Sequence, residues 1–232
     1  MKLGKTTKAP RSYGDACGTA HALDLIGERW ALLVMRELML GPKRFGDLKR
    51  DLPGISANVL TQRLEGLEAN GLVGRRRLPP PASAQVYELT AWGYEAEPIV
   101  QTLGRWATRS PAHDPGLSLS ATSLMLSFRT MQSAERIGDF EGRIGFRIGE
   151  ESFIATIAGG RVRAERGEAA GADAVFTGSP EAIAAVVYGG QAIEAMEAAG
   201  ALAVEGDRSA ARRFATFFPL PPKVGAETGP AG

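Results

Sequence analysis

Residues 43–73 read KRFGDLKRDLPGISANVLTQRLEGLEANGLV, and this stretch decides the fold of the first half of the chain. Its opening residues carry apolar side chains at helical spacing until Pro53-Gly54 interrupts the pattern. Ser56 then supplies an N-cap for a second helix, and Gly71 follows the last turn of that helix. The apolar face of the second helix consists of Leu60, Leu64 and Leu67. A helix, a tight turn and a second helix in this order predict a helix-turn-helix.

The segments on either side complete the prediction of a small DNA-binding domain. Upstream, residues 28–42, ERWALLVMRELMLGP, carry apolar residues at helical spacing and end at Gly41-Pro42. Downstream, residues 72–78 (LVGRRRL) and 85–89 (QVYEL) are two short strand candidates around a proline-rich tip. Together these elements predict a mainly-α winged helix-turn-helix whose wing is a β-hairpin.

The second helix of the motif has an outward face that suits DNA recognition. With the leucines turned inward, Asn58, Thr61 and Gln62 point outward, because successive helical residues rotate by about 100°. The amides of Asn58 and Gln62 lie four residues apart and can each pair bidentately with adenine. Ser56, at the helix start, is placed for a phosphate, where its hydroxyl and the first-turn amides can donate. The sequence therefore predicts that this face contacts DNA.

Basic residues flank that face and are candidates for phosphate contacts. Two precede the first short helix, two lie on one side of the first wing strand, and these are Lys43, Arg44, Arg75 and Arg77. Arg76 points the opposite way in an alternating strand, so the three wing arginines do not face a duplex together. Arg63 lies at the edge of the buried helix face, where it can reach a phosphate or pair with a neighbouring carboxylate. Both interpretations of Arg63 stay open.

The distribution of charge divides the 232-residue chain. Its formal net charge is only +1, yet residues 1–110 hold 16 Lys and Arg against 11 Asp and Glu, whereas residues 111–232 hold 11 against 15. Two prolines and a glycine break the chain where the sign changes. We therefore expect a DNA-binding and dimerisation domain over 1–110, a linker over 111–119, a second domain over 120–218 and a disordered tail over 219–232.

The first domain resembles a known family of regulators. In residues 13–109, the strings LIGERW, GPKRFGDL, PGIS and LTQRLEGLEANGLV follow one another as in HxlR-type winged helix-turn-helix transcriptional regulators. The resemblance implies double-stranded DNA as partner and a homodimer formed by the first helix and by a long terminal helix over 91–108. In a subset of this family, a cysteine near the first helix senses oxidants, and Cys17 occupies that position. Cys17 is also open to interpretation as a small buried hydrophobe, which is the commoner case for a free cysteine.

The second half has a different pattern. Residues 143–148 and 152–158 alternate apolar and polar side chains, with glycines at the turns, and residues 161–165 continue an antiparallel meander. A short strand, AVFT, precedes Ser179-Pro180, which predicts the start of a helix. Further on, Leu202 to Val204 form a strand candidate and Asp207 an N-cap for the last helix. These elements predict an α/β (α+β) domain with a mostly antiparallel sheet covered by helices.

This half resembles a sterol carrier protein-type (SCP2-like) domain. The string ADAVFTGSPEAIAAVVYGGQAIEAMEAAGALAVEGDRSAARRFATFF carries the resemblance, which extends over about residues 119–218. It implies an apolar tunnel for a hydrophobic small molecule or lipid. Candidate lining residues are Phe128, Phe146, Phe153, Phe176, Met196 and Phe217. The same side chains would serve equally well as plain core, because apolar periodicity does not distinguish a core from a tunnel.

Several classes of protein are disfavoured by what the sequence lacks. It contains no nucleophile-elbow, P-loop, dinucleotide-binding or zinc-protease motif, and one cysteine with two histidines makes no typical zinc site. No apolar run approaches the roughly 20 residues that cross a bilayer, and no secretory signal opens the chain. We expect a cytoplasmic, non-enzymatic homodimeric regulator, a repressor at palindromic operators, without cofactor. The alternative is a lipid carrier whose helix-turn-helix serves only for dimerisation.

Overall fold

A computed structural model describes residues 12–80 and 83–225 of the chain. Contacts divide the protein into two compact units, and the division falls between Glu95 and Ala96 in the sequence. This division lies earlier than the boundary predicted near residue 110, because the helix Glu97–Ala107 packs against the helix Ala121–Met131 of the second unit. Each unit is described by itself below.

The first unit is built from helices and one hairpin. In chain order its elements are α1 (Gly18–Ile26), α2 (Ala31–Leu38), α3 (Phe45–Asp51), α4 (Ala57–Ala69), β1 (Val73–Arg77), β2 (Gln85–Leu89) and α5 (Ala91–Tyr94). Helix α2 lies at the centre, since it contacts α3, α4 and β2. Its residues Val34, Met35 and Leu38 are fully buried. Their burial provides the apolar area that stabilises so small a unit.

Helices α3 and α4 form the helix-turn-helix that the sequence predicts. The turn between them includes Gly54 at φ +90°, a conformation that favours glycine. Ser56 caps α4, where its hydroxyl oxygen accepts a hydrogen bond from the Val59 amide at 3.2 Å. The inward residues of α4 are buried, and these are Leu60, Leu64 and Leu67.

Strands β1 and β2 pair in antiparallel fashion after α4. The register runs from Val73 opposite Leu89 to Arg77 opposite Gln85. Residues 81 and 82, at the tip, lie outside the described residues. A third short segment joins the hairpin through an isolated bridge, in which Lys43 and Tyr87 exchange backbone hydrogen bonds of 3.0 and 2.9 Å. The segment before α3 is thereby fastened to the hairpin.

The prediction of one long helix over residues 91–108 is wrong. The structure has two helices, α5 and α6 (Glu97–Ala107), separated by Glu95 and Ala96. Pro98 lies in the first turn of α6. Proline has no amide hydrogen to donate and its ring clashes with the carbonyl four residues earlier, so a continuous helix cannot pass through this position.

The second unit consists of α6 followed by a five-stranded sheet and further helices. After α6, its helices are α7 (Ala121–Met131), α8 (Ala134–Ile137), α9 (Pro180–Val187), α10 (Ile193–Ala198) and α11 (Arg208–Ala215). Its strands are β3 (Gly142–Ile148), β4 (Glu151–Ala158), β5 (Arg161–Arg166), β6 (Ala174–Gly178) and β7 (Leu202–Gly206). The sheet order is β5-β4-β3-β6-β7, and the sheet is mixed because β3 and β6 run parallel.

The two faces of this sheet differ in what covers them. Helix α11 packs on β3, β6 and β7, and α9 packs on β6. On the opposite face, the backbone after β5 approaches the sheet so closely that a Cβ at Gly145 would lie 2.8 Å from the Ala169 side chain. The part of this outer face that lies nearer the β5 edge presents exposed polar side chains.

Residues 219–225, the described part of the segment predicted to be a disordered tail, form no helix or strand. In the segment predicted to be a disordered tail, the Val224 amide donates to the Arg109 carbonyl at 2.8 Å. The Lys223 ammonium donates to the Ser110 carbonyl at 2.9 Å. Residues 226–232 lie outside the described residues. In the part of the chain that the structure describes, no helix has the length and apolar content needed to cross a membrane.

Candidate DNA-binding surface and ligand site

The outward face of α4 carries the polar residues that the sequence singles out. Asn58, Thr61 and Gln62 are exposed. Among the described residues, none of these three side chains makes a hydrogen bond. Ser56 is exposed as well, and its hydroxyl still has a proton to donate while its oxygen caps the helix. The four residues therefore present donors and acceptors to a partner outside the unit.

Arg63 forms an ion pair with a neighbouring carboxylate, which is one of the two interpretations that the sequence left open for it. Its guanidinium lies 3.2 Å from the Glu28 carboxylate, and the side chain is largely buried. The Nε atom is buried and has no hydrogen-bond partner among the described residues. Arg63 thus points toward the loop before α2, and a phosphate contact would require the Glu28 pair to open.

Lys43 is not a surface residue, and its assignment as a phosphate contact is corrected. It is 3% exposed. Its ammonium donates to the Glu37 carboxylate at 2.8 Å and to the Asp51 carboxylate at 2.7 Å. Because Glu37 lies on α2 and Asp51 on α3, the side chain connects two helices, while its backbone pairs with Tyr87 of the hairpin. The positive charge of Lys43, which the sequence predicted would bind a DNA phosphate, is instead paired with two carboxylates inside the unit.

Arg44, next in sequence, is exposed as expected. Sequence reasoning missed Lys49, which is exposed on α3 and has no ion pair among the described residues. In a helix-turn-helix the helix before the recognition helix crosses the DNA backbone. A lysine at an outward position of that helix was the signal that could have identified it.

The hairpin arginines follow the alternation of their strand. Arg75 donates from Nε to the Glu68 carboxylate of α4 at 2.8 Å and lies over the Tyr87 ring. The hydrogen bond with Glu68 raises the pKa of Arg75 further. Arg76 pairs with Glu88 on the other side of the hairpin. Arg77 is exposed, and an open concavity of about 440 Å³ is lined by Arg75, Arg76, Arg77, Ser83 and Gln85.

Cys17 is exposed at the N-cap position of α1, so it is not a buried hydrophobe. Hydrogen bonds from the backbone of Ala20 and Thr19 lower the pKa of its thiol. Sequence reasoning found no cause for such a shift, because the effect comes from the free amides of a helix's first turn. The arrangement favours the reactive thiolate.

The phenylalanines proposed as pocket lining fill the core of the second unit instead. Phe128 and Phe146 have ring centroids 5.5 Å apart, and Phe146 stacks on Phe176 at 5.7 Å. Phe214 meets Phe128 edge to face at 5.2 Å. Offset and edge-to-face contacts of this kind stabilise a packed aromatic cluster. The proposed residues Phe128, Phe146, Phe153, Phe176 and Phe217 are all fully buried.

Met196, the remaining proposed lining residue, is half-buried on α10. An open and mainly apolar cleft of about 400 Å³ lies beside this helix. Val186 and Val187 from the end of α9, Ile193 from α10 and Ala215 from α11 line it. Glu194 at its rim pairs with Arg208 and Arg212. Hydrogen bonds from its own backbone amide and from these arginines lower the pKa of Glu194 to about 2.

Two family models match the chain. The model described as HxlR-like helix-turn-helix matches residues 25–114, and that of the SCP-2 sterol transfer family matches residues 124–219. The HTH-type transcriptional regulator YodB of Bacillus subtilis (strain 168) is 38% identical over 86 residues, which are 37% of this chain and 77% of YodB. The uncharacterized HTH-type transcriptional regulator YkvN of the same organism is 40% identical over 94 residues, 39% of this chain and 77% of YkvN.

Other relatives match over a similar part of this chain. An uncharacterized HTH-type transcriptional regulator, sll1512 of Synechocystis sp., is 40% identical over 87 residues, and this match spans 38% of our chain and 64% of the relative. The solved structure of the reduced form of YodB from B. subtilis is 34% identical, with a TM-score of 0.38, and the match covers 43% of this chain and all of that one. The protein thus belongs to the HxlR-like helix-turn-helix family of transcriptional regulators and carries a second domain of the SCP-2 sterol transfer family.

Proposed function

We propose that this protein is a homodimeric transcriptional repressor that binds palindromic operator DNA and responds to a hydrophobic small molecule in its second unit. The observation that carries the proposal is the outward face of α4. There Asn58, Thr61 and Gln62 stand exposed and without partners among the described residues, on the second helix of a helix-turn-helix. Polar groups so placed match the base edges of a major groove. The proposal includes no catalytic step and no cofactor.

The contacts divide into two kinds. Asn58 and Gln62 read base edges, and each bidentate amide contributes about 1–3 kcal/mol of discrimination. Ser56, Arg44, Lys49, Arg75 and Arg77 hold the phosphates and orient the helix without reading the sequence. Lys43 is absent from this set because its charge is buried. Arg63 joins it only if its pair with Glu28 opens, and Arg75, which is paired with Glu68, contacts a phosphate only through its remaining N–H groups or once that pair opens.

Two apolar surfaces that the described residues leave exposed support the homodimer. Helix α1 has no buried residue, although its sequence is largely apolar. Helix α6 has none either, and it exposes Ile99, Leu103 and Trp106 along one side. A second copy that covers these side chains would remove them from water. A two-fold symmetric dimer then presents two copies of α4 to two half-sites.

Control by a ligand is proposed on the second unit's family membership and on its apolar cleft. Val186, Val187, Ile193 and Ala215 would contact the apolar part of the effector, rather than the phenylalanine core. A ligand that prefers one conformation of the dimer changes operator affinity by a coupling energy of about 1–3 kcal/mol. Cys17, exposed and with a lowered pKa, is proposed as a second input through thiol oxidation.

Selection of bound duplexes from random sequence, at one stated salt concentration, tests the DNA-binding proposal. We expect a palindromic motif with two half-sites. Asn58→Ala with Gln62→Ala should lose discrimination at defined base pairs, whereas the matched control Gln191→Ala, an exposed amide of the second unit, should keep it. A promoter reporter carrying the motif should be repressed. If no sequence is enriched, the helix-turn-helix serves only for dimerisation and the protein is better explained as a carrier of hydrophobic ligands.

A further inference from the structure

A second concave site in the second unit has a chemistry unlike that of the apolar cleft. It is an open cleft of about 710 Å³ at the β5 edge of the sheet. Its walls come from α6, α7, β4 and β5, and its lining is Gln101, Arg129, Gln132, Thr156, Ala158, Arg161, Val162, Arg163 and Glu165. This volume lies within the range of small-molecule sites. Most of the lining side chains are polar or charged.

One wall of the cleft is held in place by α7. The Gln132 side chain accepts from the Val162 amide at 2.7 Å and donates to the Val162 carbonyl at 3.3 Å. Arg129 donates to the Ala164 carbonyl at 2.8 Å and to the Glu97 carboxylate at 2.8 Å. The Val162 amide and carbonyl and the Ala164 carbonyl, on the edge of β5, are therefore satisfied from within the unit. These two side chains build the wall and are not available to a ligand.

The arginines that β5 contributes to the cleft differ from Arg129 in that they have no partner among the described residues. Arg161 and Arg163 are exposed, and within the described residues their side chains make no ion pair or hydrogen bond. The same holds for Arg143 on β3. Other arginines of this unit bind carboxylates or carbonyl oxygens, as Arg147 binds Glu205 at 3.0 Å and Arg136 binds the Thr216 carbonyl at 3.3 Å. The arginines without partners are thus gathered on one surface.

The sheet register brings these arginines together. Thr156 lies opposite Arg143 on one side and opposite Arg163 on the other. Residues that are directly opposite share a face of the sheet, with Cβ atoms about 5 Å apart. Arg161 precedes Arg163 by two residues and so points to the same face. Three guanidinium groups and the Thr156 hydroxyl therefore surround one area of the outer face.

The charge balance of this area defines the ligand. Glu165 is the one carboxylate that lines the cleft among the described residues, and it offsets one of the three positive charges. Arg129 is already neutralised by Glu97. Beside Arg143, the Asp173 carboxylate accepts a hydrogen bond from the Arg143 backbone amide at 2.7 Å and offsets a second charge. About one positive charge therefore remains without a counterion, on the half of the chain that is acidic in composition. A phosphate group carries the opposite, negative charge and accepts paired N–H bonds from guanidinium groups.

We propose that the cleft formed by Thr156, Arg161 and Arg163, with Arg143 beside it, binds a small phosphorylated molecule. The phosphate lies between the guanidinium groups and the Thr156 hydroxyl, and the remainder of the ligand extends along the cleft toward Gln101 of α6. This site differs from the apolar cleft in its place and in its ligand class. It does not depend on the proposed binding of DNA.

Calorimetric titration of the full chain with inorganic pyrophosphate tests the proposal. The site variant is Arg161→Gln with Arg163→Gln. The control variant is Arg147→Gln with Arg212→Gln, which removes the same charge from two exposed arginines that already pair with Glu205 and Glu194. We expect the control to bind pyrophosphate within about twofold of the unaltered chain and the site variant to bind at least about tenfold more weakly.

Three results would overturn the proposal: no binding of pyrophosphate by the unaltered chain at millimolar concentration, equal loss in the control variant, or an undiminished affinity in the site variant. A further measurement titrates the unaltered chain and the site variant with duplex DNA. If the site variant loses affinity for DNA while pyrophosphate does not bind, the arginines contact the duplex and the small-ligand site is refuted. Because pyrophosphate is titrated without DNA, a failure to bind pyrophosphate would refute the phosphate site only. The DNA-binding proposal would still be tested by the selection of operator sequences.

Discussion

At the scale of single residues, Lys43 shows how position overrides residue type. A lysine before the first helix of the motif is expected to bind phosphate, and its neighbour Arg44 is exposed as that expectation requires. The Lys43 ammonium instead lies between Glu37 and Asp51, where it connects α2 with α3. Its role is to hold the recognition elements in place, and its contribution to DNA binding is indirect.

Replacing Lys43 with Met should lower stability without changing the number of phosphate contacts. The change removes the hydrogen bond from Lys43 to the fully buried Glu37 carboxylate, which keeps its pair with Arg36, and the loss costs about 1.5–3 kcal/mol. Urea unfolding measures this loss. The salt dependence of DNA affinity should keep its slope, whereas Arg44→Gln, which removes one phosphate contact from each subunit of the dimer, should lower that slope by about 1.8 and leave stability nearly unchanged. A reduced slope in the Lys43 variant with normal stability would restore Lys43 as a phosphate contact.

The Cys17 thiol should titrate below the ordinary range of a cysteine. Hydrogen bonds from the Ala20 and Thr19 backbone favour the thiolate, and the Thr19 side chain adds to them. A lower pKa means more thiolate at neutral pH and faster alkylation. The rate of iodoacetamide labelling against pH should therefore have a midpoint below that of the urea-unfolded chain. Thr19→Val should raise the midpoint, and equal midpoints for folded and unfolded chains would refute the shift.

At the scale of elements, two serine caps allow stability and recognition to be separated. Ser56 caps α4 and Ser179 caps α9 in the same way, each accepting a hydrogen bond from the amide three residues later, at 3.2 and 3.1 Å. In both places a serine followed by apolar residues at helical spacing predicts the start of a helix, and both helices form as predicted. The two caps differ in that only Ser56 lies on the proposed DNA-binding surface.

Changing either serine to Ala should cost about 1 kcal/mol in the unit that contains it. Ser56→Ala should also weaken operator binding by about tenfold, because a hydrogen bond to a charged phosphate is lost. Ser179→Ala should leave operator binding unchanged. Thermal unfolding and DNA titration of both variants measure the two effects. Equal DNA affinities would remove Ser56 from the set of phosphate contacts.

At the scale of the whole molecule, the second unit begins with α6, a helix whose apolar side is left exposed by the described residues. Ile99, Leu103 and Trp106 are 50%, 43% and 71% exposed. Their spacing places them on one side of α6, as expected for a helix that packs against a partner. The proposed homodimer supplies that partner.

Leu103→Glu should weaken the dimer, because a carboxylate would be buried in an apolar interface. Central interface residues contribute 2 kcal/mol or more, so the dissociation constant should rise by about thirtyfold. Thr177→Glu is the matched control, since Thr177 is an exposed residue of β6 and not of α6. Sedimentation velocity at several concentrations measures the change. A dimer that is unaffected by Leu103→Glu would place the interface elsewhere.

Much of the fold was predictable from local patterns. The helix-turn-helix followed from apolar spacing, from Ser56 and from Pro53-Gly54, because these features act within a few residues of one another. The strands of the second unit followed from alternation between glycine turns. The break between α5 and α6 differs from the long helix that the family resemblance implies, and Pro98 is the local residue that accounts for it, because proline disfavours a helix that continues through its position.

The sequence by itself determined the order of elements, the family of each half and the outward face of α4, since each depends on neighbours along the chain. Only the tertiary structure decided that Lys43 is buried between two carboxylates, that the phenylalanines pack on one another, and that Arg143, Arg161 and Arg163 share one face of the sheet. Burial and charge pairing depend on groups that are distant along the chain, and local patterns carry no information about them. For the same reason the sequence does not distinguish the exposed Arg44 from the buried Lys43, although the two side chains carry the same charge.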